Sequence, residues 1–269
     1  MLSLEEIQKE ELNILKSVIV IFEENNLKYY LYGGTLLGAI RHNGFIPWDD
    51  DIDLIMPRPD YDKFISILKN DDKCLNGLVP MAPELNDFDF PFCKIYNKSI
   101  VLESENNMEK YLWIDIFPVD GISNNYNPYN YLKKIYNKRK VFSRKRDQIY
   151  HIKDNNKLKY VIKSVIFFPL QFLSFDRIIN HFVKYCRKYE YDTSQYVCDL
   201  VWAKHPGNIL KKEWLDETIK VKFEDIDANA FIGYKFYLEN RYGKNYMELP
   251  PKEQRITHSF KAWRVKSEK

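Results

Sequence analysis

The chain has 269 residues, of which 45% are hydrophobic, and a formal net charge of +3. This length and composition predict a soluble globular protein with one large hydrophobic core or two modest ones. No apolar segment follows a basic start, so we expect no signal peptide. The 4 cysteines lack C-x-x-C spacing, which favours reduced core residues in a cytoplasmic protein and argues against a zinc site.

The first predicted element is an amphipathic helix from Ser3 to Asn25. Apolar residues from Leu4 to Phe22 recur at near-helical spacing, with charged residues between them. Ser3 and Glu6 have the spacing of a capping box, in which each side chain bonds to the backbone of the other residue. We expect this helix to cover one face of a sheet.

The stretch from Tyr30 to Pro57 concentrates glycines, carboxylates and aromatic residues. The run from Tyr29 to Tyr32 predicts a strand, and Gly33, Gly34 and Thr35 then predict a turn at the start of a helix. Two glycines let the backbone approach a ligand closely, and the N–H groups of a first helical turn attract phosphate. The turn is therefore a candidate phosphate-binding site.

Four acids, Asp49, Asp50, Asp51 and Asp53, follow after a loop and lead into an apolar run. Alternation along a strand puts Asp51 and Asp53 on one face. Two carboxylates so close repel each other and are stabilised by a cation, and oxygen ligands favour Mg²⁺ or Mn²⁺. A calcium loop is excluded because Leu54 stands where that motif requires glycine.

This stretch also has interpretations without a function. A Gly-Gly turn alone is most often only a turn, and a run of aspartates is most often a solvated loop. The apolar residues that follow Asp53 favour function over a solvated loop. A glycosyltransferase D-x-D motif, which holds a sugar nucleotide through a metal, stays open as the alternative.

Next along the chain, Asp60 is predicted to cap a helix, and strands are predicted near residues 92–96 and 100–103. A further strand from Tyr111 to Phe117 is apolar except for Asp115. Burying a lone carboxylate is costly, so Asp115 has a partner or a function. It either bonds to a helix end or an arginine, or it is the third carboxylate of a metal site.

Positive charge is concentrated between Tyr131 and Lys163, a segment that contains 12 Lys and Arg residues and 2 Asp residues. A basic helix is predicted from Pro128 to about Arg146, and an apolar run over residues 160–175 is too short to span a membrane. Two interpretations stay open: a basic helical lid with a buried apolar strip, or peripheral contact with an anionic membrane. No recognised module accompanies the charge, so no nucleic acid partner is expected.

The remaining segment alternates helices and a strand. We predict a helix over residues 174–191, a strand over residues 195–202, and a helix from Gly233 to Tyr242 that ends at Gly243.

The block from Gly33 to Asp53 resembles the signature of the LicD family, which includes the fukutin-related proteins. Further similarity to the family lies in the segments Lys94-Ile95, Val101-Leu-Glu103, Ile114-Asp115-Ile-Phe-Pro118, Phe223-Glu224-Asp225 and Tyr242-Gly243-x-x-Tyr246-Met-x-x-Pro250-Pro251, and at His258. No part of the pattern covers residues 131–196.

The resemblance implies an α/β (α+β) nucleotidyltransferase-like fold, with a mixed sheet core flanked by helices. On this basis residues 1–125 form the catalytic core and residues 126–195 a basic, mainly helical insertion. Residues 196–269 form a C-terminal helical segment that completes the core and the acceptor side.

The resemblance also implies an activity, the metal-dependent transfer of phosphocholine or a related phospho-alcohol from a CDP-linked donor, with CDP-choline favoured. The acceptor would be a hydroxyl of a cell-surface glycan, teichoic acid, capsule precursor or lipid-linked oligosaccharide, and CMP would leave. Transfer would occur on the cytoplasmic side, with the inner face of the plasma membrane as the peripheral location. The alternatives are a D-x-D glycosyltransferase and a non-enzymatic scaffold.

Carried over residue by residue, Asp51, Asp53 and Asp115 would hold Mg²⁺ or Mn²⁺ and form the catalytic set. Asp115 is the candidate to receive the hydroxyl proton. The candidate substrate-binding residues are Gly33, Gly34, Thr35, Arg41, His42, Trp48, Asp49, Asp50, Lys94 and His258. Arg41 and His42 could instead form a solvated helix end, and Trp48 could anchor a loop or provide a stacking surface.

Overall fold

The computed structural model describes residues 1–71, 73–86, 88–104, 109–149, 162, 165, 168–255 and 260–265. Within these residues the chain forms a mixed α/β structure, as expected. The α-helices are α1 (Leu4–Glu24), α2 (Gly33–His42), α3 (Arg58–Asn70), α4 (Pro128–Ile149), α5 (Phe175–Cys186) and α6 (Tyr234–Tyr242). The strands are β1 (Tyr30–Leu31), β2 (Asp53–Pro57), β3 (Val79–Met81), β4 (Cys93–Ser104), β5 (Tyr111–Ile122), β6 (Tyr196–Cys198), β7 (Leu210–Lys211), β8 (Thr218–Phe223), β9 (Ile226–Phe231) and β10 (Phe260–Arg264).

An 8-stranded mixed sheet organises the fold, with β1, β2, β5, β4 and β10 side by side in that order. Strand β3 also pairs with β4, and β6 joins β5 to β7. Strands β2 and β5 run parallel, whereas the other pairs are antiparallel. The parallel pair at the centre is the feature that places the candidate site.

Helix α1 covers the sheet as predicted, and it packs against β5 and β4. Its capping box is confirmed: the Ser3 hydroxyl accepts from the Glu6 N–H, and the Glu6 carboxylate accepts from the Ser3 N–H. The apolar stripe of the helix, including Leu15, Val18 and Phe22, is completely buried. Burial of this stripe contributes more to helix stability than intrinsic propensity does.

Two predicted boundaries are wrong near the candidate site. Regular pairing of β2 begins at Asp53, so Asp51 lies in the preceding loop and not on the strand. Asp60 does not cap α3, because Pro57 is the N-cap residue and Asp60 lies in the first helical turn. Helix α3 starts earlier because a proline in its first turn costs no hydrogen bond and Arg58 reaches back to Asp120 on β5.

The C-terminal segment contains more strand than expected. Helix α6 ends at Gly243, whose φ of +92° suits glycine, which confirms that prediction. The hairpin of β8 and β9 and the strand β10 accompany it, and β10 pairs with β4. The segment thus adds strands to the main sheet and contributes a helix.

Helices α4 and α5 pack against each other and confirm two predicted helices, with Ser174 as the N-cap residue of α5. The apolar run before α5 is exposed where it is described, with Val165 71% and Phe172 75% exposed. The buried strip expected of a lid is therefore not found at these residues. No described helix has the length and apolar character needed to cross a membrane.

Candidate active site

The site lies where three strands bring charged residues into one row. Asp53 on β2 is directly opposite Asp115 on the parallel strand β5. On the other side of β5, the antiparallel strand β4 places Lys94 opposite Asp115. The register therefore gathers two of the predicted carboxylates and one predicted cation, although they are far apart in the sequence.

Asp53 lies in a strongly negative environment. Its backbone N–H donates to the Thr35 hydroxyl at 2.8 Å, which ties β2 to the start of α2. Burial raises the pKa of Asp53 well above its usual value, and the charges of Asp51, Asp115 and Asp49 raise it further, while Lys94 opposes them. Part of the residue remains accessible to solvent.

Asp115 and Lys94 form a buried ion pair. Lys94 Nζ lies 2.7 Å from Asp115 Oδ1 and 2.9 Å from Glu109 Oε1. The same ammonium lies 4.5 Å from the ring centres of Phe90 and Trp113, which is a cation–π distance. Burial disfavours a charged Lys94, but Asp115 and Glu109 raise its pKa, so it stays protonated. The partner of Asp115 is thus a lysine, and neither the helix end nor the arginine that the alternative required.

The glycines of the predicted turn lie inside α2 itself, which begins at Gly33. Gly33 has a φ of +56°, and its N–H donates to the Tyr237 hydroxyl at 3.3 Å. A Cβ at Gly34 would lie 2.6 Å from Asp49 Oδ2, so the acidic loop packs directly on the backbone there. The positive φ favours glycine at Gly33, and a Cβ at Gly34 would require the Asp49 carboxylate to move.

Arg41, His42 and Trp48 form a second group at the other end of α2. Arg41 Nη1 donates to the carbonyls of Tyr246 and Glu248 at 3.0 and 3.1 Å, and its Nε donates to His42 Nε2 at 2.9 Å. Burial and then the charge of Arg41 lower the pKa of His42 and keep it neutral.

The same group links the acidic loop to the C-terminal segment. The guanidinium of Arg255 lies 4.6 Å from the Trp48 ring centre, so Trp48 is covered on that side as a loop anchor would be. Arg41 therefore holds the C-terminal segment against α2. The alternative interpretation, a solvated helix end without such contacts, does not describe Arg41. Contact of these residues with a donor stays a prediction.

Sequence reasoning missed two carboxylates, Glu109 and Glu11. Glu11 lies on α1 and is 1% exposed, and its Oε2 has no hydrogen-bond partner among the described residues. Burial raises the pKa of Glu11 well above its usual value, followed by the charges of Asp51 and Asp50. The available signal was its position in the apolar stripe of the helix, four residues after Ile7 and four before Leu15.

Two further predicted residues have different outcomes. Asp50 is 2% exposed and belongs to the same acidic loop, beside Asp49 and Asp51. His258 lies outside the described residues, so its role stays a prediction.

The carboxylates suit a hard divalent cation. No three acidic, histidine or cysteine side chains in the described part of the chain already lie close enough to hold a metal ion by themselves. Mg²⁺ commonly takes only one or two carboxylates and completes its shell with water and substrate phosphates. Asp53 and Asp115, with Asp51 from the loop, would hold it, and its charge would offset the repulsion at Asp53.

A mixed sheet with carboxylates on adjacent strands, next to a glycine-rich helix start, defines a nucleotidyltransferase-like protein. A family model described as LicD/FKTN/FKRP, nucleotidyltransferase domain, matches residues 26–180. The chain therefore belongs to the LicD family.

Similarity to individual proteins extends beyond that domain. The chain is 29% identical over 261 residues to the lipopolysaccharide cholinephosphotransferase LicD of Haemophilus influenzae, covering 96% of each chain. It is 51% identical over 37 residues to the ribitol 5-phosphate transferase FKRP of Homo sapiens, covering 14% of this chain and 8% of that protein. An uncharacterized protein of Rickettsia prowazekii, RP689, is 36% identical over 72 residues, which cover 27% of this chain and 23% of that protein.

Proposed function

We propose that the protein is a metal-dependent phosphotransferase that moves phosphocholine, or a related phospho-alcohol, from a CDP-linked donor to a glycan hydroxyl. Support comes from two relatives whose names state the transfer of phosphocholine and of ribitol 5-phosphate. The reaction would decorate a lipopolysaccharide, teichoic acid or capsule precursor and would release CMP. The donor that we favour is CDP-choline.

The observation that carries this proposal is the register of Asp53 and Asp115 on adjacent parallel strands, with Thr35 bonded to the backbone of Asp53. Phosphoryl transfer requires neutralisation of charge on the transferring group and alignment of the attacking and leaving oxygens. A divalent cation held by these carboxylates supplies that neutralisation when it is bound. The Gly33 N–H donates to Tyr237, so the N–H groups of Gly34 and Thr35, together with the helix dipole, would attract the donor phosphates.

The remaining residues have roles in proton transfer and charge balance. The acceptor hydroxyl oxygen forms the new P–O bond while the bond to the CMP phosphate breaks, and CMP leaves with the electron pair. Asp115 receives the hydroxyl proton. Lys94 holds Asp115 in place through the 2.7 Å ion pair. This contact positions Asp115, and it gives Lys94 a role in addition to the predicted neutralisation of the diphosphate.

The test is calorimetric binding with Mg²⁺ of CDP-choline, CDP-ethanolamine, CDP-glycerol, CDP-ribitol and UDP-glucose. We expect one CDP-alcohol to bind the wild-type protein and Asp53→Asn to weaken that binding. The rate of CMP release with an acceptor glycan should fall more than about 100-fold in Asp53→Asn. A loss of up to roughly 100-fold is typical of residues that only support a metal ligand, and Asp53 is proposed as a ligand itself. The matched control is Asp216→Asn, which removes a carboxylate that is 55% exposed and pairs with Lys212.

The outcomes separate the candidate functions. Preference for UDP-glucose would overturn the phosphotransferase proposal in favour of a D-x-D glycosyltransferase. Binding of no nucleotide by a folded wild-type protein would favour a scaffold. Equal losses in Asp53→Asn and Asp216→Asn would remove Asp53 from the site.

A further inference from the structure

An apolar cavity of about 460 Å³ lies between α4 and α5, away from the carboxylate site. Its lining includes Phe142, Phe182 and Leu173, and Phe142 also belongs to a small core shared by the two helices. The cavity opens at the surface, where Lys138 and Arg177 contribute to its lining. It therefore combines an apolar interior with a positively charged rim.

Exposed apolar side chains extend this feature along the chain. Leu173 lines the cavity, and its neighbour Phe172 contacts the ring of Phe168 with 5.7 Å between ring centres. All three residues are exposed, as are Ile162 and Val165. A contiguous group of large exposed apolar residues beside polar ones marks an interaction site. We call the surface formed by Phe172, Leu173 and the rim residues Lys138 and Arg177 the basic apolar face.

The charge around this face is strongly positive. Helix α4 contains eight Lys and Arg residues and one Asp, but Arg139 and Lys145 are buried and do not contribute to the surface charge. Its exposed cations are Lys133, Lys134, Lys138 and Lys140. Helix α5 contains the basic residues Arg177, His181 and Lys184 and one acidic residue, Asp176. Outside residues 131–163 the chain has a net negative charge, so the positive charge belongs to this region and not to the whole surface. The face thus attracts an anionic partner that also has an apolar interior.

We propose that the basic apolar face docks on a bilayer that contains anionic phospholipid. Phe172 and Leu173 would enter the boundary between headgroups and acyl chains, and Lys138 and Arg177 would meet the lipid phosphates. A second copy of the chain would bring like charge against the face. A nucleic acid would satisfy the cations but leave the apolar residues in water. The bilayer is the partner that satisfies both features.

The test is flotation of the full chain with vesicles of phosphatidylcholine alone and of phosphatidylcholine mixed with phosphatidylglycerol. We expect binding to the mixed vesicles only, and weaker binding as salt is raised. Phe172→Ser/Leu173→Ser should reduce binding to the mixed vesicles at least about tenfold, because the apolar contact is lost. Its matched control is Val20→Ser, which removes an exposed apolar residue from α1.

A second variant keeps the test decisive if the double variant does not fold. Arg177→Glu should reduce binding more than about fivefold, because roughly this factor accompanies one basic residue near a charged membrane. Its control is Lys69→Glu, at an exposed position in the last turn of α3. Vesicle binding does not depend on the proposed transfer reaction, so its result is separate from the nucleotide titrations.

Four results would overturn the proposal. The first is that the wild-type protein binds neither kind of vesicle. The second is that the variants of the face bind as well as their controls. The third is a concentration-dependent dimer that Phe172→Ser/Leu173→Ser abolishes, which would assign the face to a second copy. Binding of single-stranded RNA in place of vesicles would equally count against the bilayer.

Discussion

Strand β5 carries two carboxylates, Asp115 and Asp120, which differ in how their negative charge is balanced. Asp120 receives two parallel hydrogen bonds from Arg58, at 2.7 and 2.8 Å, and both residues are buried. Asp115 shares Lys94 with Glu109 and faces Asp53 across the parallel pair. One end of the strand thus has a matched ion pair, and the other has more negative than positive charge.

The difference distinguishes a carboxylate whose charge is balanced within the protein from carboxylates whose charge is balanced by a bound ligand. A bidentate arginine and carboxylate balance each other's charge, so the pair at Asp120 requires no added cation. At Asp53, burial and neighbouring carboxylates act together against ionisation. Such an arrangement costs stability in the isolated protein, and it is retained where a cation or substrate supplies the missing positive charge.

The largest stability effect is expected at the matched pair. Arg58→Met leaves Asp120 buried without its partner, so the free energy of unfolding should fall by about 3–5 kcal/mol. Urea denaturation followed by circular dichroism measures this change. The folded fraction should retain its nucleotide affinity, because Arg58 contacts Asp120 and Asp62 and not the carboxylates of the site.

The control for that prediction is the double variant Arg58→Met/Asp120→Leu. It removes both charges, so it should recover most of the lost stability. A double variant that is less stable than Arg58→Met would contradict the assignment of a purely structural pair.

A smaller, pH-dependent effect is expected at Asp199, a buried carboxylate held by backbone groups. Its Oδ1 accepts from the N–H groups of Trp202 and Ala203 at 3.0 and 2.6 Å. Burial raises the pKa of Asp199 from 3.8 to about 6, although these hydrogen bonds oppose the shift. A raised pKa in the folded state stabilises the protein at pH values below the unfolded pKa, and this contribution disappears as pH rises through the folded pKa.

The free energy of unfolding should therefore lose about 3 kcal/mol from Asp199 between about pH 4 and pH 7. Asp199→Asn keeps an acceptor oxygen but does not titrate, so its stability should change less over this interval. Urea midpoints measured across the interval provide the comparison, with Asp216→Asn as the exposed control. A parallel decline in Asp199→Asn and in the wild-type protein would show that another group titrates.

Local patterns predicted the helices and the carboxylates better than they predicted the boundaries. The capping box at Ser3 and the glycine at the end of α6 are encoded within a few residues, and both predictions were confirmed. The start of α3 was mispredicted because Arg58 is held by Asp120, which is remote in sequence. Such a contact leaves no signal in the local spacing.

In the candidate site, too, features encoded locally were predicted, and features that depend on contacts remote in sequence were not. Asp115 is predicted because it interrupts an apolar run, and Asp53 because it alternates with Asp51 just before one. The sheet places Asp53 and Asp115 opposite each other. Lys94 was chosen from the resemblance, but its pairing with Glu109 depends on how β4 and the segment before β5 align. Glu11 was missed because a single acid in an amphipathic helix is ordinarily solvent-exposed.

The smallest effect is expected at Glu11, which is also the position that connects stability to the acidic loop. Within the part of the chain that the structure describes, its Oε2 has no hydrogen-bond partner, and an unsatisfied buried group of this kind costs about 1–3 kcal/mol. Glu11→Met has a similar volume and no charge, so it should raise the free energy of unfolding by about that amount in metal-free protein. Thermal and urea unfolding measure the gain, and Glu5→Met, at an exposed position on the same helix, is the control.

Repeating the Glu11→Met measurement with Mg²⁺ tests whether Glu11 belongs with the site. A cation near Asp50 and Asp51 would offset the buried negative charge of Glu11 in the wild-type protein, because opposite charges favour the ionised form. The advantage of Glu11→Met should then shrink as Mg²⁺ is added, since the cation stabilises the wild-type protein more than the variant. An advantage that is independent of Mg²⁺ would make Glu11 a structural defect of α1 with no link to the acidic loop.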